Sequence, residues 1–179
     1  MDFNPQTGAL YTVVNERDGY GDGLVPDYLT EVKQGGFYGW PYAYTGTFPD
    51  PDYAEEAPEM VEKSILPDVL FQSHSAPLGL TFYRGGSFPD EYVNDAFVAF
   101  QGSWNASKPT GYKIVRVPFE NGRPTGSYQN FATGFRIEAE EPGAAKVWGR
   151  PVGLAVAADG SLLVADAVSQ TVWRISYAQ

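Results

Sequence analysis

One phrase, said twice, limits this chain more than any other feature. Pro77-Leu78-Gly79-Leu80-Thr81-Phe82 returns as Pro151-Val152-Gly153-Leu154-Ala155-Val156, 74 residues later. Met1-Asp2-Phe3 fits the same slot, 79 residues before Leu80. The phrase opens a pattern that repeats with it: strand, turn, strand, then an outer strand with an arginine flanked by apolar residues. That outer strand reads KIVRV (Lys113–Val117) in the second copy and VWRIS (Val172–Ser176) in the third. Repeated units of this kind bury their apolar faces against one another, so the repeat predicts an architecture of stacked copies.

The units are β. Period-2 apolar runs bounded by turn residues cover Ala9–Glu16, Gly79–Gly85, Asp95–Gly102, Tyr112–Phe119 and Thr171–Tyr177. Gly153–Ala167 reads as two strands around the Asp159-Gly160 turn, a strong hairpin signal. No stretch of a dozen residues has helical periodicity. Pro51–Lys63 offers a helical turn at most, and its prolines favour a loop. Gly 20 and Pro 14 suit many short strands joined by turns. The fold class expected is all-β, a β-propeller of three blades over residues 1–75, 76–148 and 149–179, with inner strands near Met1–Asn4, Leu78–Tyr83 and Val152–Ala157. Long insertions, Tyr20–Tyr28 and Phe37–Phe71, stretch the period beyond the usual 40–50 residues of propeller repeats. Closed propellers have about four to eight blades. Three therefore read as half of a six-bladed ring, whose parent would run to about 450 residues at this period.

Composition narrows the partners. A net charge of −10 and a pI near 4.4 argue against nucleic acid and anionic membrane, which need a basic surface. With no cysteine, disulfides and thiolate-bound metals are excluded. No apolar run approaches the roughly 20 residues of a membrane span. The start, Met1-Asp2-Phe3-Asn4-Pro5, lacks the basic and apolar regions of a signal peptide; an internal methionine read as the start would account for that.

Four segments resemble the C-terminal half of the glucose/sorbosone dehydrogenase family: Val13–Tyr44, His74–Tyr92, Gly102–Phe119 and Val147–Tyr177. These are soluble, pyrroloquinoline-quinone (PQQ)-dependent sugar dehydrogenases, and the closer likeness is to the sorbosone dehydrogenase-like branch. The resemblance implies a six-bladed propeller with PQQ over its channel and Ca²⁺ bridging the quinone to a loop of the first blade here. It also implies a sugar substrate, oxidised at C1 with hydride passing to the quinone, a separate electron acceptor, and a periplasmic or secreted location.

Residue by residue, the resemblance implies the following. The turn Asn15–Asp22 supplies main-chain carbonyls to Ca²⁺ from Asp18 and Gly19, sensible for a hard cation that wants oxygen ligands; otherwise it is an Asp-Gly surface turn. Arg17 stands where glucose-oxidising relatives have glutamine, and its fork suits a cofactor carboxylate. His74, the only histidine, matches a position near the cofactor. The family's catalytic histidine lies in the N-terminal half, which leaves His74 as a cofactor or substrate contact or a structural residue, and no catalytic residue in this chain. Gln101 replaces the histidine of the phrase His-Gly-Ser-Trp-Asn. Trp104 either stacks on a quinone or sugar ring or packs between blades. Arg150 matches an arginine on the cofactor's carboxylates. The acids Asp50, Asp52, Glu55, Glu56 and Glu59 read as a solvated loop face.

Two other functions compete. One is a non-catalytic half-propeller that dimerises into a six-bladed ring. The other is a Ca²⁺-dependent propeller lactonase, for which only Asp166 and Asn15 offer inward ligands. On either propeller reading a homodimer, or pairing with a missing N-terminal half, is expected. The isolated chain is expected to turn over little or no sugar.

Overall fold

The computed structural model describes residues 1–137 and 146–178; residues 138–145, inside the second expected repeat, lie outside that description. The described residues are all-β apart from two 3-10 turns and one short helix. Three sheets organise it. The first orders strands Asp2–Phe3, Leu10–Val14, Tyr28–Glu31 and Val69–Leu70. The second orders Pro77–Phe82, Ala96–Phe100, Lys113–Val117 and Gln129–Ala132, and the third Pro151–Val156, Leu162–Asp166 and Thr171–Ile175. Every pairing in them is antiparallel. Each is a meander, the pattern that the strand–turn–strand repeats predict.

The second sheet is buried on both faces, and its central strand shows how. In Ala96–Phe100, side chains alternate across the sheet. Ala96, Val98 and Phe100 join Tyr11, Leu29, Leu80, Phe82 and Phe119 in one core, against the first sheet. Phe97 points the other way, into a core with Tyr83, Ile114, Leu162 and Val164 against the third. A strand with two covered faces reads as a continuous apolar run, as AFVAF does. Tyr11 meets Phe82 and Phe119 edge-on at 5.7 and 5.3 Å, tying the first sheet to the second.

The repeated glycine has a physical reason. A Cβ on Gly79 would lie 2.6 Å from the Val152 carbonyl oxygen and 3.3 Å from Gly153 Cα. The opening strands of the second and third sheets thus touch backbone to backbone, which no side chain at position 79 permits. Both strands carry the same register shift, between Pro77 and Gly79 and between Pro151 and Gly153. The expected hairpin is present: Gly160 has φ +81°, and Ala157 N–H donates to Ser161 O at 2.8 Å.

One expectation fails. Pro58–Lys63 is a helix, where its prolines pointed to a loop. Pro58 stands in the first turn, where an N–H would have no intrahelical acceptor, so proline costs the helix nothing there.

Candidate functional site

Four loops meet at one end of the sheets. They are the turn after Leu10–Val14, the turn before Pro77–Phe82, the segment after Ala96–Phe100 and the approach to Pro151–Val156. Asn15, Asp18, His74, Ala76, Gln101, Ser103, Trp104 and Asn105 line a cavity of about 230 Å³ among them. Side chains far apart in sequence converge here, four of the expected site residues included.

His74 is held by two acceptors. Its Nδ1 lies 3.0 Å from Asp18 Oδ1 and its Nε2 lies 2.9 Å from the Gly21 carbonyl oxygen. Both contacts are hydrogen bonds only if the ring donates from both nitrogens, so the arrangement selects imidazolium. Burial works against that charge, but the Gly21 carbonyl, the hydrogen bond and charge of Asp18 and the charge of Asp27 outweigh it, and the pKa rises. A ring in this state has no lone pair with which to take a proton; what it offers the cavity is positive charge. The turn that presents it has φ of +62° at His74 and +51° at Ala76, a conformation non-glycine residues adopt at a cost of about 1–3 kcal/mol each.

The residue that imposes this conformation is Asp27, unremarked in the sequence. Its Oδ1 accepts Glu16 N–H at 2.9 Å and its Oδ2 accepts Ala76 N–H at 2.9 Å, so one carboxylate clips the Asn15–Asp22 turn to the His74 turn. Asp27 is 1% exposed. Burial pushes its pKa up to about 6, against the pull of the Glu16, Ala76 and Ser75 N–H groups and of His74. A second tie crosses between loops at the rim, where Ser107 N–H donates to Asp22 Oδ1 at 3.1 Å and the Ser107 hydroxyl also bonds Asp22.

Arg150 stands behind the cavity wall. Its Nη2 donates to Ser103 O at 3.1 Å and lies 3.4 Å from the Tyr112 hydroxyl, with the guanidinium 5.2 Å from that ring's centre. Its main-chain N–H goes to Asp166 Oδ1 at 2.9 Å. Among the described residues, Nε and Nη1 have no hydrogen-bond partner. Burial opposes the Asp166 charge, but the N–H groups of Arg150 and Ser169 and the Trp173 indole hold its pKa down to about 2. Gln101 sits on the cavity wall, with its N–H bonded to Ala76 O at 2.9 Å. Trp104 projects at the rim, 79% exposed.

Arg17 is placed differently from the free fork expected of it. Its nitrogens go to Glu16 Oε2 at 3.2 Å, Pro41 O at 3.0 Å, Ala43 O at 2.8 Å and the Asp50 carboxylate. It lashes the long insertion to the first sheet, and every one of its nitrogens is occupied within the protein. Asp50 is correspondingly no solvated loop acid: it is 2% exposed and also accepts from the Tyr20 hydroxyl at 3.0 Å. Burial opposes its charge, yet the N–H groups of Asp52 and Tyr53, Tyr20 and Arg17 together lower its pKa.

The donor set suits the groups expected here. Among the described residues the Asp18 and Gly19 carbonyls accept no hydrogen bond, and Gly19 has φ +102° with open space about it, so main-chain oxygens are available to a hard cation. Among the described residues no group of three His, Cys, Asp or Glu side chains is placed to hold a metal ion. His74, whose two acceptors favour its charged form, the unused part of the Arg150 fork and the exposed Trp104 ring suit a planar polycarboxylate.

The TrAA12-like family model matches residues 43–178. An uncharacterized protein of Borreliella burgdorferi is 34% identical over 182 residues, covering 99% of this chain and 46% of its own. The calcium structure of a Trichoderma reesei Carbohydrate-Active Enzymes Family AA12 protein superposes with TM-score 0.70 at 24% identity, covering 96% of this chain and 49% of that one. The holo form of the pyranose dehydrogenase PQQ domain from Coprinopsis cinerea gives TM-score 0.70 at 22% identity, covering 96% and 52%. The chain thus spans about half the length of each. Among the described residues, no helix is long and apolar enough to cross a membrane.

Proposed function

The chain belongs to the TrAA12-like family, and from that membership and the converging loops we propose that it forms three blades, half of a six-bladed propeller, of a PQQ-dependent sugar dehydrogenase. The observation that carries this reading is the cavity of about 230 Å³ in which Asp18, His74, Gln101 and Trp104 come together from three separated loops. Bound there, PQQ would supply the electron sink for oxidising a sugar C1 hydroxyl or aldehyde.

This chain's share is orientation and charge. Trp104 offers a flat face at the rim. His74, fixed as a cation by Asp18 and Gly21, and Arg150, fixed through Ser103, place positive charge where cofactor carboxylates would lie. The Asp18 and Gly19 carbonyls offer oxygen to Ca²⁺. Because two acceptors hold the His74 ring and raise its pKa, it is poorly suited to be the base, and this reading places the acceptor of the substrate's proton outside these three blades. A second half-ring, a second copy or an N-terminal half, would supply it and cover the apolar residues left open at the two outer faces, such as Phe3 and Val172. A periplasmic or secreted setting and a sorbosone-type substrate fit the same reading.

Titration of PQQ into the chain with and without Ca²⁺, followed by tryptophan fluorescence, tests the site. Saturable, Ca²⁺-dependent quenching is expected, weakened about tenfold by Arg150→Ala, the equivalent of about 1.4 kcal/mol. Absence of Ca²⁺-dependent binding would overturn the proposal. With an aldose and a dye acceptor the chain alone should show little turnover, and light scattering should show a dimer; robust turnover by a monomer would refute the placement of the base.

A further inference from the structure

Beside the cavity at His74 lies a larger one, of about 540 Å³, lined by Val14, Asn15, Glu16, Arg17, Asp18, Tyr28 and Trp40. The two share Asn15 and Asp18, so only that turn separates them. We propose that the Trp40 cavity is a second carbohydrate subsite, which takes a neutral pyranose ring joined to the sugar that would be oxidised at the rim of the His74 cavity, next to Trp104. This inference rests on the sugar-dehydrogenase reading and adds the length of the substrate to it.

Three observations point to a sugar ring. First, Trp40 is 65% exposed, yet its indole is backed by a fixed group. The Arg17 guanidinium sits 4.6 Å from the ring, and Arg17 is itself pinned to Asp50, Glu16, Pro41 O and Ala43 O. The aromatic face is therefore held out as a preorganised platform, and a rigid platform loses little freedom on binding. Second, polar residues line it beside the indole: Asn15, Asp18, whose Oδ1 is held by His74, and Glu16, whose Oε2 is held by Arg17. A pyranose ring has an apolar C–H face and a rim of hydroxyls, and it needs that pairing of an aromatic floor with planar hydrogen-bonding groups. Third, charge selects against other occupants. The one cation in the lining, Arg17, is already paired with Glu16 and Asp50, so the cavity offers an anionic ligand no unpaired cation. A volume of about 540 Å³ lies within the range of roughly 300–1,000 Å³ typical of small-molecule sites.

The experiment follows the indole N–H signals of the four tryptophans by NMR while glucose or cellobiose is added to the full chain. Cellobiose should move the Trp40 and Trp104 signals together and bind about tenfold more tightly than glucose. Trp40→Ala should abolish that tenfold advantage and leave glucose binding at Trp104 intact; Trp40→Tyr, which keeps a ring over Arg17, should restore most of it. Movement of Trp104 without Trp40 would overturn the subsite and leave the sugar reading standing. If neither signal moves, the subsite and the sugar reading fall together, while Ca²⁺-dependent quenching by PQQ reports separately on the cofactor site.

Discussion

Asp27→Asn replaces the carboxylate clip with a group of the same shape that never ionises. In the folded chain the Asp27 pKa is raised from 3.8 to about 6, so the folded state holds this proton more tightly than the unfolded state does. Between those values the folded chain binds more protons, and stability falls as pH rises. The contribution is fully present below about pH 4 and lost by about pH 6. At about 1.36 kcal/mol per pH unit the loss is about 3 kcal/mol. The substituted amide imitates the protonated acid and shows no such fall. Wild type and variant should therefore match near pH 4, and by pH 7 the variant should be more stable by about 3 kcal/mol. That difference is a rise in Tm of about 6–12 °C for a chain of this size.

Urea unfolding monitored by tryptophan fluorescence at pH 4, 5, 6 and 7 reads the divergence directly. Asp95, whose pKa burial also raises, is common to both proteins and cancels in the difference. The stabilised variant should nevertheless bind PQQ more weakly, because its amide N–H₂ faces one of the two main-chain donors and releases a loop. Parallel stability curves, or a variant less stable at pH 7, would refute the argument that the carboxylate is held at a cost.

Three further outcomes follow from the same geometry. Gly79→Ala should destabilise by about 1–3 kcal/mol in urea melts, because its Cβ meets Val152 O at 2.6 Å, while Gly153→Ala, with only Ala165 Cβ at 3.4 Å, should change stability by less than about 1 kcal/mol. Arg17→Ala leaves buried Asp50 without its cation and should cost about 3–5 kcal/mol; adding Asp50→Asn should recover much of it, and failure to recover would deny the coupling. The His74 ring, titrated by NMR, should show a midpoint above 6.5 that drops on Asp18→Asn; its contribution to stability is present below pH 6.5 and lost as pH rises through the folded midpoint.

What could be read from the sequence was what repeats or alternates. The phrase at Pro77 and Pro151, the Asp159-Gly160 hairpin and the run AFVAF each carry a local signal strong enough to fix a strand or turn. The helix at Pro58 was hidden because a proline breaks or begins a helix depending only on where the first turn falls. Pairings across the insertions left no local trace: Arg17 meets Asp50 over 33 residues, and His74 meets Asp18 over 56. Gly79 announced itself as part of a repeat, but its reason, contact with Val152 and Gly153, exists only once two sheets are stacked. Asp27 looked like any acid before a strand, since nothing in Val25-Pro26-Asp27-Tyr28 tells a turn residue from a clip.

Asp27 and Asp166 use one device with opposite results, and the contrast locates the part of the structure maintained at a cost. Each accepts the N–H of the residue just before an opening strand, Ala76 for Asp27 and Arg150 for Asp166. Asp166 also accepts Val168 and Ser169 N–H and the Trp173 indole, all from its own sheet and the turn within it. Four donors more than offset its burial, and its pKa falls to about 2. Asp27 has fewer donors, drawn from two different sheets, and lies deeper; its pKa climbs to about 6. A neutral side chain would fill the same space with less penalty, but only a carboxylate accepts from Glu16 and Ala76 at once. Those two N–H groups belong to the turns that carry Asp18 and His74. The one poorly compensated buried charge in this part of the chain therefore stands where it sets the distance between the turn that lines both cavities and the His74 turn that lines one of them.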